Sequence, residues 1–359
     1  MAYAKRGAWV AAAISFLAAC ADEEKPETSD AGACAAPGQC IADASPIVPV
    51  PEAGLDTGAA PAPVDATTPA PTPDTGVGTP PPSDAGTSTP PADAGDAGPT
   101  PPVDPGKTGC LKGTSQDYRA NGPYQVKSKD VMLPTLGPYT IFYPTELSSD
   151  CPHPIVGWGN GTGVTGSGTY AHFFRHAASW GIVTIVAHNS NAGSMPFIAG
   201  GIDYLLKENM TSGSEFFGKL STRAGSAGHS QGGFAALTAS SHPNIKAIVN
   251  VQGGGRAPAS AAMICLTGVM DFVRPQCTSS YTGARGPAFL ADHNMADHTG
   301  TPTPLGSRTP AGQEYIRMYS SWFRCFLGDD QAACGLYRGA MPPVCTGGDW
   351  AMCSGKMIP

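Results

Sequence analysis

Ala224-Gly225-Ser226-Ala227-Gly228-His229-Ser230-Gln231-Gly232-Gly233 is the stretch whose reading decides the fold. Its centre, Gly228 to Gly232, fits G-x-S-x-G, in which a serine occupies a sharp strand-to-helix turn and presents its hydroxyl to solvent. Glycines flank the serine because the turn is strained and neighbouring backbone comes close to it. Gln231 then opens a helix, so its amide falls outside the helical ladder and is free to face an anion. The pattern pairs a nucleophile, Ser230, with one oxyanion donor, the amide of Gln231. The residues just before it, 224–227, make a poor strand by propensity, although their small size suits close helix packing.

In a chain with 46 glycines such a pattern also arises by chance, so its surroundings must decide. Apolar runs alternate with helix-like segments along the chain. Strands are expected at 139–143 (ended by Pro144), 154–158, 182–187 and 245–251, and helices at 170–180, 196–208, 231–240 and 313–327. Two more apolar runs, 262–266 and 288–291, lead to Asp271 and His293. This alternation predicts an α/β domain with a mostly parallel central sheet and helices on both faces. Catalytic groups of such sheets gather at the carboxyl ends of the strands. Ser230, Asp271 and His293 therefore read as nucleophile, orienting carboxylate and general base. His298, further from the expected strand end, is the rival base. A His293/His298 metal pair is a further alternative, but Asp292 and Asp297 beside them read equally well as loop residues or helix caps.

The two ends of the chain differ in kind. Lys5 and Arg6 precede an apolar stretch from Ala8 to Leu17, which reads as a signal peptide over residues 1–20. Leu17-Ala18-Ala19-Cys20 resembles the lipobox of bacterial lipoproteins. That likeness implies lipidation of Cys20 and an exported protein anchored at the outer membrane or cell surface, with plain secretion the alternative. Residues 21–107 are dominated by Pro, Ala, Gly, Thr, Ser and Asp and read as a disordered Pro-rich linker, unable to bury enough apolar surface to fold. Residues 108–359 remain for one catalytic domain. The net charge is −7 and no basic stripe is present, which argues against a nucleic-acid partner.

Of eleven cysteines, ten remain once Cys20 is taken as lipidated, an even number that favours disulfides in an exported chain. Local candidates are Cys34–Cys40, Cys110–Cys151, Cys265–Cys277, Cys325–Cys334 and Cys345–Cys353, with connectivity left open by spacing alone. The cysteine spacings are poor for zinc. No metal or cofactor is expected, and the domain is expected to be a monomer.

Together these features resemble the α/β-hydrolase superfamily, and more narrowly the bacterial cutinase-like polyester hydrolases and dienelactone-hydrolase-like esterases. The resemblance spans roughly residues 124–339. It rests on Tyr139 to Pro144, Val156 to Thr162, Gly228 to Gly233 and the contexts of Asp271 and His293. It implies an exported serine carboxylic-ester hydrolase working through an acyl-enzyme on short acyl esters or polyesters. It also implies a second oxyanion amide after the third strand, at Asn160 or Gly161, with Asn160 the better match in register. Trp158, Gly161 and His229 are the candidate substrate-binding residues; Trp158 reads equally well as a buried core residue, and His229 as packing beside the serine. Two departures stand out: Gln231 replaces the usual Met, and residues 250–258 lack the aromatic that clamps a flat substrate. Short aliphatic esters are therefore expected to be preferred over aromatic polyester.

Two other classes compete. Gly161 to Gly166 matches the dinucleotide pattern G-x-G-x-x-G, but that reading wants an acid after the next strand, where Ala187 and His188 stand. A non-catalytic, surface-anchored binding protein on the same scaffold is the other alternative, since fold alone does not give activity.

Overall fold

The computed structural model describes residues 109–188, 193–256, 258 and 260–359. The signal peptide, Cys20, the linker and the Cys34–Cys40 pairing lie outside the described residues. In chain order the elements are β1 (Val126–Leu133), β2 (Gly137–Pro144), β3 (His153–Gly159), α1 (Ala171–Ser179), β4 (Val183–Ala187), α2 (Met195–Met210), β5 (Leu220–His229), α3 (Gln231–Thr238), β6 (Ile245–Val251), β7 (Ala262–Met270), α4 (Arg274–Gly283), β8 (Ala288–Asp297), α5 (Pro310–Gly328), α6 (Gln331–Gly335) and β9 (Trp350–Lys356). The strands share one mixed sheet in the order β1-β2-β4-β3-β5-β6-β7-β8-β9. Strands β4, β3, β5, β6, β7 and β8 are mutually parallel. The β1–β2, β2–β4 and β8–β9 pairs are antiparallel.

The alternation of side chains along each strand divides the core in two. In β3, Val156 and Trp158 join Phe173 and Phe174 of α1 and Tyr319 and Trp322 of α5 on one face. Ile155 of β3 and Ile185 of β4 pack on the other face with Ile198, Ile202 and Leu205 of α2 and Ala235 of α3. Helices thus cover both faces, as the alternation of apolar runs predicts.

The weak-propensity segment 224–227 lies in β5, at the centre of the sheet between β3 and β6. Its small residues are demanded by packing. A methyl group on Gly225 would sit 2.4 Å from the Phe323 ring of α5. On the other side, Ser226 Oγ donates to the Ala236 carbonyl of α3 at 2.8 Å. Four elements have no counterpart in the sequence reading: edge strands β1 and β9, and helices α4 and α6.

Four of the five local cysteine pairings lie at disulfide distance: Cys110–Cys151, Cys265–Cys277, Cys325–Cys334 and Cys345–Cys353. Such bonds belong to an oxidising compartment. Among the described residues, no helix is long and apolar enough to cross a membrane.

Three buried histidines tie stability to pH. His153, His176 and His229 are pushed down to about 4, in each case chiefly by burial. In the unfolded chain their imidazoles bind protons near 6.5, so the unfolded state takes up protons first on acidification. Their contribution is complete above about pH 6.5 and is lost as pH falls from there toward 4. At about pH 5 the expected loss is of order 1–2 kcal/mol per buried imidazole. The urea midpoint of the domain should therefore fall clearly between about pH 7.5 and pH 5; an unchanged midpoint would show that these histidines are not buried neutral.

Candidate active site

Strand β5 ends at His229, α3 begins at Gln231, and Ser230 alone makes the turn between them, with φ 55° and ψ −117°. This is a strained conformation for a residue with a Cβ. It is pinned from both sides. The Ser230 N–H donates to the carbonyl of Val251 at the end of β6 (3.0 Å), and the Ser230 carbonyl accepts from Phe234 N–H (3.1 Å). The flanking glycines are required by close backbone contact: a methyl on Gly228 would lie 2.3 Å from Gly232 of α3 and 2.7 Å from the Gly159 carbonyl of β3, and one on Gly232 would lie 1.9 Å from that carbonyl.

Asp271 directly follows β7, and His298 directly follows β8. Ser230 Oγ–H donates to His298 Nε2 at 3.0 Å. His298 Nδ1–H donates to Asp271 Oδ1 at 2.8 Å. The carboxylate is fixed in turn by Val273 N–H on Oδ1 and Thr267 Oγ1–H on Oδ2, each at 2.9 Å. Asp271 and His298 are both buried. Three strand ends thus bring a serine, a histidine and a carboxylate into one hydrogen-bonded line.

The histidine in this line is His298, the rival candidate, and not the preferred His293. His293 lies inside β8, paired with Gly268 of β7 on one side and Trp350 of β9 on the other. Its ring packs edge-on against Trp350 at 5.0 Å, and its Nδ1 accepts from the Met295 N–H. It lines a cavity of about 520 Å³ with Met295, Leu305 and Pro310. The expected strand end at residue 291 was too early, because β7 and β9 carry β8 on through its polar half. Asp297 caps the turn after His298, accepting from the N–H groups of Gly300 and Thr301. Asp292 instead pairs with Arg274 at 2.6 Å. Both ring nitrogens of His298 are committed to Ser230 and Asp271, so no His293/His298 metal pair forms. Among the described residues no cluster of three or more His, Cys, Asp or Glu could hold a metal.

Other expected site residues also move. Trp158 is a core residue, 1% exposed, packed on Tyr170, Phe173, Phe174 and Tyr319, so it offers no platform to a substrate. Its indole N–H donates to Asn160 Oδ1 at 3.0 Å, and the Asn160 amide donates to the Gly166 carbonyl at 2.9 Å. The Asn160 side chain thereby fixes the glycine-rich loop after β3. Gly161 is buried and its N–H donates to Tyr170 Oη at 3.3 Å, which takes it out of reach of a ligand. His229 is buried with both ring nitrogens bonded within the protein, so it is not a subsite wall. His188 is bonded to Thr140 at 2.6 Å. Gln231, as first residue of α3, presents an N–H outside the helical ladder, and its side-chain Oε1 accepts from Thr162 Oγ1 at 3.3 Å.

One residue beside the site was missed altogether. Phe272 follows Asp271, is 73% exposed, and holds its ring 4.2 Å from that of His298. The aromatic sought in sequence at residues 250–258 or at Trp158 stands instead at the end of β7. The signal available in sequence was an aromatic adjoining the presumed acid.

No protein-family model matches this chain, and no curated protein matches it.

Proposed function

We propose that this protein is a serine carboxylic-ester hydrolase of the α/β-hydrolase type, acting through an acyl-enzyme on short acyl esters or polyesters. The observation that carries the reading is the continuous line from Ser230 Oγ through His298 to Asp271, at 3.0 and 2.8 Å, on a strand–serine–helix elbow. Ser230 Oγ attacks the ester carbonyl carbon as its proton passes to His298 Nε2. Asp271 keeps the imidazole in its Nδ1–H form and stabilises the imidazolium. The tetrahedral oxyanion faces the Gln231 amide at the N-terminus of α3, and the second donor is assigned to the Asn160 main-chain N–H by the family resemblance. Collapse expels the alcohol, which takes the proton from His298. Water then repeats the sequence on the acyl-serine and returns free Ser230 and the acid. None of these steps calls for a cofactor. We place the enzyme outside the cytoplasm as a monomer tethered through a lipidated Cys20. A surface binding protein on this scaffold would have no use for an aligned proton relay.

The test is a panel of p-nitrophenyl acyl esters of increasing length, run beside polyester films and acetylated xylan. Short acyl esters should be hydrolysed, and inertness toward every member of the panel would sink the proposal. The same panel measures Phe272. An aromatic face this close to the base contributes to the binding of an apolar acyl or aromatic group, so the case against aromatic polyester no longer rests on residues 250–258. Phe272→Ala should raise KM for aromatic and longer acyl esters about 2- to 10-fold, the equivalent of one lost ring contact, and leave acetate esters little changed. Equal effects on all esters would mean that Phe272 only supports His298.

A further inference from the structure

We infer that His229 and Gln252 are positioning residues that grip two consecutive carbonyls, those of Asp297 and His298, and so hold the His298 imidazole between Ser230 and Asp271; the inference rests on the ester-hydrolase reading. His298 is the first residue beyond β8, at the start of a loop. A base in such a place must still be kept within a fraction of an ångström of the nucleophile. Its bond to Asp271 orients the ring but leaves the backbone that carries the ring unaccounted for.

Two buried side chains supply that restraint. His229 Nε2–H donates to the His298 carbonyl at 2.9 Å. Gln252 Nε2 donates to the Asp297 carbonyl at 2.5 Å. Both come from the strand ends that set the nucleophile. His229 immediately precedes Ser230, and Gln252 follows Val251, whose carbonyl receives the Ser230 N–H. The backbone that fixes Ser230 therefore also fixes the loop of its base. Gln252 is held at φ 50°, a left-handed conformation disfavoured for a residue with a Cβ, and its N–H donates to the Leu266 carbonyl of β7 at 2.7 Å. Strain of this kind persists where the surrounding structure over-determines it, and it clusters at functional sites.

The His229 arm reaches further. Tyr170 O–H donates to His229 Nδ1 at 2.9 Å, and Tyr170 Oη accepts the Gly161 N–H at 3.3 Å. One proton on the hydroxyl and one on the imidazole allow a single direction: Gly161 to Tyr170 to His229 to the His298 carbonyl. The loop after β3, on the oxyanion side, is thus linked to the loop of the base. The His229 ring centre lies 5.0 Å from that of His298. A charge on it would oppose the imidazolium that His298 must become, and burial, by holding His229 down at about 4, keeps it neutral.

The experiment compares His229→Phe, His229→Gln, Gln252→Met and Tyr170→Phe in the full chain. It reads kcat and KM with p-nitrophenyl butyrate, and by NMR the downfield proton on His298 Nδ1, which needs no substrate. His229→Phe and Gln252→Met should lower kcat about 100-fold with KM within about twofold, the signature of a displaced catalytic group. Both should weaken or abolish the downfield resonance. His229→Gln, whose Nε2 can still donate to the His298 carbonyl, should recover most of the kcat. Tyr170→Phe removes one atom from the linkage, so it tests the His229 arm even if the bulkier exchange fails to fold; it should cost about tenfold in kcat. Folded variants with wild-type kcat and an intact resonance would overturn the clamp and leave the hydrolase reading standing. So would a His229→Gln variant as impaired as His229→Phe. A wild type that shows no turnover, while its variants still lose the resonance, would sink the hydrolase reading and leave the clamp.

Discussion

His298→Ala should abolish ester hydrolysis, lowering kcat by about 10⁴-fold or more, while His293→Ala keeps kcat within about threefold of wild type. Of these two histidines, only His298 reaches Ser230, with Nε2 at 3.0 Å from Oγ and Nδ1 at 2.8 Å from Asp271. Without it no group takes the serine proton, and an un-ionised hydroxyl is a poor nucleophile near neutral pH. His293 is enclosed in β8 against Trp350, and its loss is a packing change of about 1–3 kcal/mol in stability rather than a loss of chemistry. The check is steady-state kinetics of both purified variants, with thermal melts to separate unfolding from inactivity. An active His298→Ala beside an inactive His293→Ala would return the base to His293.

Ser230→Ala should be equally damaging, about 10⁶-fold in kcat, with circular dichroism and melting temperature close to wild type. The expected insensitivity of the fold follows from the local geometry. Ser230 sits at φ 55°, and alanine bears the same Cβ, so the elbow is no more strained in the variant. The backbone bonds to Val251 and Phe234 that hold the turn do not involve the hydroxyl. Residual turnover above a few per cent of wild type would mean that another nucleophile does the work.

Much of this architecture was legible because single residues carried strict physical demands. The glycines at 228 and 232 announce a backbone contact with β3 that admits no side chain. The apolar runs of β3, β4 and β6 are buried along nearly their whole length, which a sheet covered on both faces requires. Four of the five candidate cysteine pairings lie at disulfide distance, although spacing alone leaves the connectivity open. The failures share a cause, which is that partners distant in sequence override local pattern. His293, Asn294 and Asp297 look like a loop, yet β7 and β9 hold them in a strand. Strand β9, mostly half-exposed at the sheet edge, gives little apolar signal of its own, so nothing indicated that β8 would be extended. The Ala-Gly-Ser-Ala run of β5 violates propensity because Phe323 and α3 need the space. Trp158 and Phe272 show the same limit from opposite sides: both are aromatics near a catalytic strand end, and only the packing around them separates a core residue from an exposed one.

The measurement that tests the central claim most directly is the rate and site of labelling by a serine-directed fluorophosphonate, read by intact mass and peptide mapping. The relay of Ser230, His298 and Asp271 predicts a single adduct on Ser230. The adduct should be absent in Ser230→Ala, about 10³-fold slower to form in His298→Ala, and formed at nearly the wild-type rate in His293→Ala. No adduct on the wild type, an adduct on another residue, or equal rates with and without His298 would contradict it.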